Sequence, residues 1–374
     1  MGHAYTPGLR VTAGTLIRRE RRLPLKGTVC VAAGAEVGPE SVIARCELPG
    51  NVQTVNLAEK LAVDPAAVGS TLLKPIGSSV SRDEPIAEAR AMFGLMRNRV
   101  VSPADGTLES VSSVTGQLLV RERPIPVEVN AYVRGRVVDV LAGEGAVVES
   151  RAALVQGIFG VGGETHGTLA IATSGPHESL LATHLKPEHR GAVLVGGDHV
   201  SHATVMRARE LGVRALVVGG FDDRDLRELL GRDLGVAITG QEELGITLVL
   251  TEGFGRIAMA ARTWELLAAH AGRVASVSGA TQIRAGVLRP EILIPLAGEH
   301  GAHAPDAEGG SLELGTFVRV IRQPWFGRLG RVIELPAELA ALDTEARVRV
   351  LVVEFADDRT RATVPRANVE RLAG

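Results

Sequence analysis

Three glycine-rich runs stand where an apolar segment gives way to a helix-forming one. They are Gly196-Gly197-Asp198, Gly219-Gly220-Phe221-Asp222 and Thr251-Glu252-Gly253. At the carboxyl end of a parallel strand, such a run presents free N–H groups and the positive terminus of the next helix, a pairing that favours an anion. Gly196, Gly197, Asp198, Gly219, Gly220, Asp222, Thr251, Glu252 and Gly253 are therefore candidate ligand-binding residues, and a small phosphate or carboxylate is the ligand they suit. Asp198, Asp222 and Glu252 act against a bare phosphate unless a metal joins it. The competing reading is that Gly and Asp are what short strand-to-helix turns require. Neither a Walker A motif nor a GxGxxG fingerprint occurs in the chain.

Other chemistry-bearing residues are less ordered in their spacing. His166, His177, His184 and His189 follow one another at intervals of 11, 7 and 5 residues, which match no recognised metal site. No Ser-His-Asp set can be assembled from chain order. No metal or cofactor is expected, and no catalytic residue can be named. Arg18, Arg19, Arg21, Arg22 and Lys26 form the one dense basic segment, which can meet RNA, DNA or an acidic protein. The alternative is an edge strand whose charges block unwanted pairing. Near the C-terminus, Trp325 and Phe326 stand between Arg322 and Arg328, an aromatic pair able to anchor a partner or to cover a small core.

Composition bounds the rest. The chain has 374 residues, 45% of them hydrophobic, with 41 basic against 43 acidic groups. That balance excludes a disordered chain and a protein that coats nucleic acid by charge alone. Aromatics make up 3%, so the cores must be aliphatic. Cys30 and Cys46 form no CxxC pair and read as two reduced, buried thiols, with a disulfide as the alternative. No stretch reaches the roughly 18 apolar residues of a membrane span, and no leader is evident, so a cytoplasmic protein is expected.

The period of the apolar residues divides the chain. Residues 1–165 carry short Val-rich runs between turn residues, the pattern of an all-β unit. One helix is expected within it at 85–97, from Ile86, Ala89, Phe93 and Met96. Residues 166–188 read as a polar linker. From 189 to 297 strands and helices alternate, which implies a mostly parallel, Rossmann-like α/β domain. Short strands are expected at 192–195, 213–218, 236–239, 246–250 and 274–277, and helices after Ser201, after Asp222 and over 257–271. A second linker covers 298–311. Residues 312–374 then hold four strands of a small barrel. The fold class is thus multidomain, α/β plus all-β.

Two stretches resemble known families. Gly27-Thr-Val-Cys-Val-Ala-Ala-Gly34-Ala-Glu-Val37 and Gly135-Arg-Val-Val-Asp-Val-Leu-Ala-Gly143-Glu-Gly-Ala-Val147 repeat a strand, a glycine turn and a returning valine. This resembles the biotinyl/lipoyl-like barrel-sandwich hybrid. Lys74 in Leu72-Leu73-Lys74-Pro75 lacks the flanks of a carrier lysine, so no attached group is implied. Gly315-Thr-Phe-Val-Arg-Val-Ile321, Pro324-Trp-Phe-Gly-Arg-Leu-Gly-Arg-Val-Ile333 and Val364-Pro-Arg-Ala-Asn-Val369 resemble the KOW motif of an SH3-like barrel, as in the C-terminal domain of NusG. Nothing upstream resembles the rest of NusG, so no role in transcription is carried over. The run from Gly196 to Ala203 resembles the phosphohistidine swivelling domain. Its spacing is one residue long on each side of His202, about 100° of helix rotation per residue, which misplaces the imidazole.

Two functions remain. The first is a non-catalytic modular binding or scaffold protein, docking a protein or structured RNA through Arg322, Trp325, Phe326 and Arg328 or the basic segment. The alternative is an enzyme or sensor that binds a small anion at the strand-end loops.

Overall fold

A computed structural model describes residues 9–91, 96–231, 242, 244–281, 288–296, 312–320, 324–325, 328–336, 339–341 and 347–371. Its backbone is mostly β. Eleven strands form one mixed sheet, ordered Phe159–Val161, Thr247–Phe254, Ala215–Phe221, Ala192–Val195, Glu164–Ile171, Val274–Ser278, Glu291–Pro295, Gly145–Gln156, Gly135–Leu141 and Glu36–Val37, with Val11–Arg22 paired to Gly145–Gln156. The three contacts among Glu164–Ile171, Ala192–Val195, Ala215–Phe221 and Thr247–Phe254 are parallel. Ala192–Val195 and Ala215–Phe221 are buried along their whole length, as expected of strands covered on both faces. The helices His202–Leu211 and Asp223–Leu230 cover one face around Leu194, Leu216, Val218 and Leu248. The helix Ala261–Ala269 covers the other, around Val193, Val217, Val249 and Leu267. Ser201 starts the first helix by accepting from the Thr204 N–H at 3.3 Å, and Gly212 ends it in the left-handed region.

The N-terminal strands build two further cores. One gathers Ile17, Ile43, Tyr132, Val148 and Leu293, and so includes residues of the long sheet itself. The other, around Leu57, Ile86, Leu108 and Leu118, belongs to a lobe spanning the four-stranded sheet Val52–Asn56, Gln117–Glu122, Gly106–Val111, Ser79–Val80. At the C-terminus a six-stranded sheet curls as a half-barrel around Val318, Val332, Leu351, Val353 and Phe355.

Several expectations are corrected. The segment 85–97 is not a helix: Pro85–Ala91 and Met96–Val101 pair as antiparallel strands. A register shift between Pro85 and Ala87 buries Ile86 and Ala87 together, and this break in alternation imitates a helical period. Glu88 and Arg99 then meet across the ladder at 2.6 Å. The segment 166–188 is not a linker: Glu164–Ile171 lies inside the long sheet, and Leu180 is buried and bridges Val200. Its polar look arises from the strand's own Glu164, Thr165, His166 and Thr168, although the strand pairs on both sides. The boundary near 165 is also crossed by continuous strand pairing, since Gly145–Gln156 binds Glu291–Pro295. The helix expected over 257–271 is shorter, Ala261–Ala269. Both cysteines are free, with Cys46 buried and Cys30 exposed. The strand expected at 236–239 lies outside the described residues.

Candidate functional site

At the carboxyl ends of the parallel strands, three of the glycine N–H groups are already engaged. Gly196 donates to Val217 O at 2.9 Å, Gly219 to Gly197 O at 2.8 Å and Gly220 to Asp198 O at 2.8 Å. Gly219 and Gly220 lie within the strand Ala215–Phe221, and Gly253 within Thr247–Phe254. The reason for glycine is crowding. A Cβ on Gly197 would stand 2.2 Å from Glu178 O, one on Gly219 2.0 Å from Ile257 O, and one on Gly220 2.0 Å from Gly255 O. The run is glycine-rich because several backbone passes meet there.

The three acids turn to different partners. Asp198 is buried and accepts from Ser179 Oγ at 2.6 Å. Asp222 is exposed and meets His199 Nε2 at 3.2 Å. Glu252 is buried; its Oε1 accepts from Ala260 N at 3.1 Å, at the start of the helix Ala261–Ala269. Its Oε2 accepts from Arg319 at 2.7 Å. Arg319 is fully buried and reaches the Thr251 carbonyl at 3.4 Å as well. It comes from the half-barrel strand Phe317–Val320, where Val318 and Val320 face the half-barrel's own core. Alternation points Arg319 the other way, into the strand ends. The first helix is no better as an anion site. Its His202 N–H donates to Asp225 Oδ2 at 2.7 Å, so a carboxylate of the chain takes that place.

The four arginines of the basic segment are each paired with an acid. Arg18 meets Glu149 at 2.7 Å, and Arg22 meets Glu144 at 2.7 Å and Glu20 at 3.0 Å. Arg19 grips Glu291 with two nitrogens, one at 2.9 Å. Arg21 grips Glu164 at 2.9 and 2.6 Å and donates Nε to Asn130 O at 2.7 Å. In the C-terminal loop, Arg322 and Phe326 lie outside the described residues. Trp325 is half-buried against the half-barrel core, its ring 6.4 Å from that of Phe355. Arg328 stacks 3.8 Å above Phe355 and meets Asp357 at 2.5 Å and Asp358 at 2.7 Å. Hydrogen bonds from Thr360, helped by Arg328, hold the Asp358 carboxyl down to about 2. Lys74 is not a free tip: it pairs with Glu84 and donates to Ser79 O at 3.1 Å. Both line a cleft of about 610 Å³ with Arg121 and Arg123.

One cluster was not foreseen. Arg19 stands opposite Val148 and Glu291 opposite Gln156 in the ladders of the strand Gly145–Gln156. Eight strand positions span about 26 Å when straight, so the Arg19–Glu291 contact requires this strand to curl back over the sheet. Under that curl lies a polar seam. Glu164, Ser278 and Glu291 are paired neighbours on one sheet face, and His166 and Ser276 lie on the same face one alternation inward. Tyr132 closes the seam from the turn after Ile125–Asn130, with φ +69 and only 5% of its surface exposed. Arg21 sits 5.4 Å from the centre of its ring. The Tyr132 hydroxyl and the Ser276 hydroxyl are buried with no hydrogen-bond partner among the described residues. The only prior signal was the pair of arginines at i and i+2, which put two charges on the strand face that also carries Ile17 and Leu23. Among the described residues no three His, Cys, Asp or Glu side chains gather in a metal-binding arrangement.

The sequence matches no protein-family model, and no curated protein is similar to it.

Proposed function

We propose that this chain is a non-catalytic modular binding or scaffold protein of the cytoplasm. In this reading a barrel-sandwich-like N-terminal region and a Rossmann-like centre carry a KOW/SH3-like C-terminal head, and the head docks a protein partner. The observation that carries the reading is the buried Arg319–Glu252 pair. It fills, from within the chain, the place where an α/β enzyme would take its ligand. It also fastens the head to the centre, so a partner held by one is held rigidly to the other. A protein partner suits the head better than RNA, because residues 311–374 hold ten Arg against nine acidic groups. Trp325 and Arg328 serve the head by supporting its core, and the docking surface is the mixed-charge end of a strand pair, where Glu354 and Arg361 stand opposite each other and the exposed Arg359 lies in the loop between them.

Cross-linking mass spectrometry of the full chain in extract of its own cells tests this. Cross-links from one recurrent protein are expected at 347–361, in complexes that survive nuclease. A complex lost to nuclease, or cross-links that avoid the head, overturns the reading. A fixed small-molecule adduct that native mass spectrometry places at the strand ends would instead favour an anion sensor.

A further inference from the structure

We propose that the polar seam under Tyr132 is a binding site for a small carboxylate, independent of how the head is used. The seam is built as such sites are built, between two packed cores, with few polar groups and a buried wall. Its charges, Arg19 and Arg21 against Glu164 and Glu291, cancel. Their exposure does not match: the Glu164 side chain is 43% exposed, that of Glu291 12% and that of Arg21 14%. Arg21 is fixed from three sides, by the Asn130 carbonyl, the Tyr132 ring and Glu164. Glu164 is thus the member that can leave for solvent, and what it leaves is a held guanidinium beside a hydroxyl that needs an acceptor. A carboxylate meets both demands. One oxygen takes the bond from Tyr132 Oη, and the planar fork of Arg21 takes the pair that Glu164 made.

Tyr132 also carries a cost that packing alone does not explain. A non-glycine residue at φ +69 is strained, and a buried hydroxyl without a partner costs more than a methyl-sized gap would. Phenylalanine would avoid the second cost. Ser276 repeats the signal, fully buried and without a partner among the described residues, on the same face of the sheet. The entrance lies at Glu164, where His166 meets the exposed Glu40 at 3.1 Å. Only a small molecule fits so covered a site, and a monocarboxylate restores the charge balance once Glu164 swings out.

The test uses acetate, propionate and benzoate on the full chain, at ionic strength matched with chloride. Binding is read by ligand-observed NMR and by thermal shift. At least one acid is expected to bind and to raise the melting temperature with its concentration. Tyr132→Phe should weaken it about tenfold while leaving the melting temperature of the free protein unchanged or higher. Glu164→Gln, which removes the internal competitor, should tighten it several-fold. No shift with any of the three acids, or binding unmoved by both variants, overturns the proposal and leaves the hydroxyl with an ordered water only.

Discussion

The strand ends and the polar seam are both glycine-flanked or charged places at the edge of an apolar core, and they differ in what is left over. At the strand ends the chain uses its own groups: the Gly196, Gly219 and Gly220 N–H groups on neighbouring backbone carbonyls, Asp198 on Ser179, Glu252 on Arg319 and a helix start. In the seam two buried hydroxyls have no partner among the described residues. A run of glycines and acids therefore marks a place where backbones crowd, as readily as a place where a ligand sits. An unspent polar group under cover is the stronger pointer to a ligand, because the fold gains nothing from it.

The sharpest way to break that contrast is at Arg319. Arg319→Ala leaves Glu252 charged, buried and without its cation. A loss of about 3–5 kcal/mol is expected in urea unfolding, by analogy with other broken buried pairs. Arg19, Arg21 and Arg319 are not equivalent to Arg18, whose side chain is two-thirds exposed; Arg18→Ala should cost under ~1 kcal/mol. Joint replacement by Arg319→Met and Glu252→Gln should recover most of the loss, since Gln keeps an acceptor for Ala260 N. A mild effect of Arg319→Ala alone would show that the strand ends are open to solvent, and would reinstate them as a ligand site.

Next in size is the glycine crowding. Gly220→Val places side-chain atoms where a Cβ alone already stands 2.0 Å from Gly255 O, and a loss of about 2–3 kcal/mol is expected. Gly69→Ala, with nothing within 4 Å of its Cβ, should leave the midpoint within about 0.5 kcal/mol. Equal effects at the two positions would remove the packing explanation for the glycine runs.

Much of the architecture was legible because period and burial agree. The strands at Ala192–Val195 and Thr247–Phe254 and the helices after Ser201 and Asp222 follow from apolar runs and capping residues alone. The C-terminal residues hold four strands as expected, Phe317–Val320, Leu329–Glu334, Arg347–Phe355 and Arg361–Pro365, with Leu339–Ala341 and Val369–Arg371 added. The pair Pro85–Ala91 and Met96–Val101 was misread because a bulge buries two successive residues, and one sequence cannot distinguish that from a helical stripe. The site was hardest to read, since its groups meet only through folding. Arg21 and Glu164 are 143 residues apart, and Arg319 and Glu252 are 67. Nothing local to Arg319 says that it is buried, beyond its place between two core valines.

The smallest effect at neutral pH, and the most telling one, belongs to Tyr132. Burial, reinforced by Glu291 and Glu164, pushes its hydroxyl well above the ordinary value of 10.0. The unfolded chain therefore gives up this proton first. Below pH 10 both states hold it and it contributes nothing to the slope; as the pH climbs beyond 10 the unfolded state binds fewer protons, and stability falls. Tyr132→Phe removes that dependence. The gap between the urea midpoints of the two proteins should stay constant up to about pH 9 and widen from pH 10 upward, with the variant the more stable. The chain has two tyrosines, Tyr5 and Tyr132, so absorbance at the phenolate band can follow the titration directly. The share of the signal that belongs to Tyr132 should wait for unfolding. If Tyr132 instead ionised near 10 in the folded protein, its hydroxyl would be solvated, the seam would be as spent as the strand ends, and the distinction between the two regions would be lost.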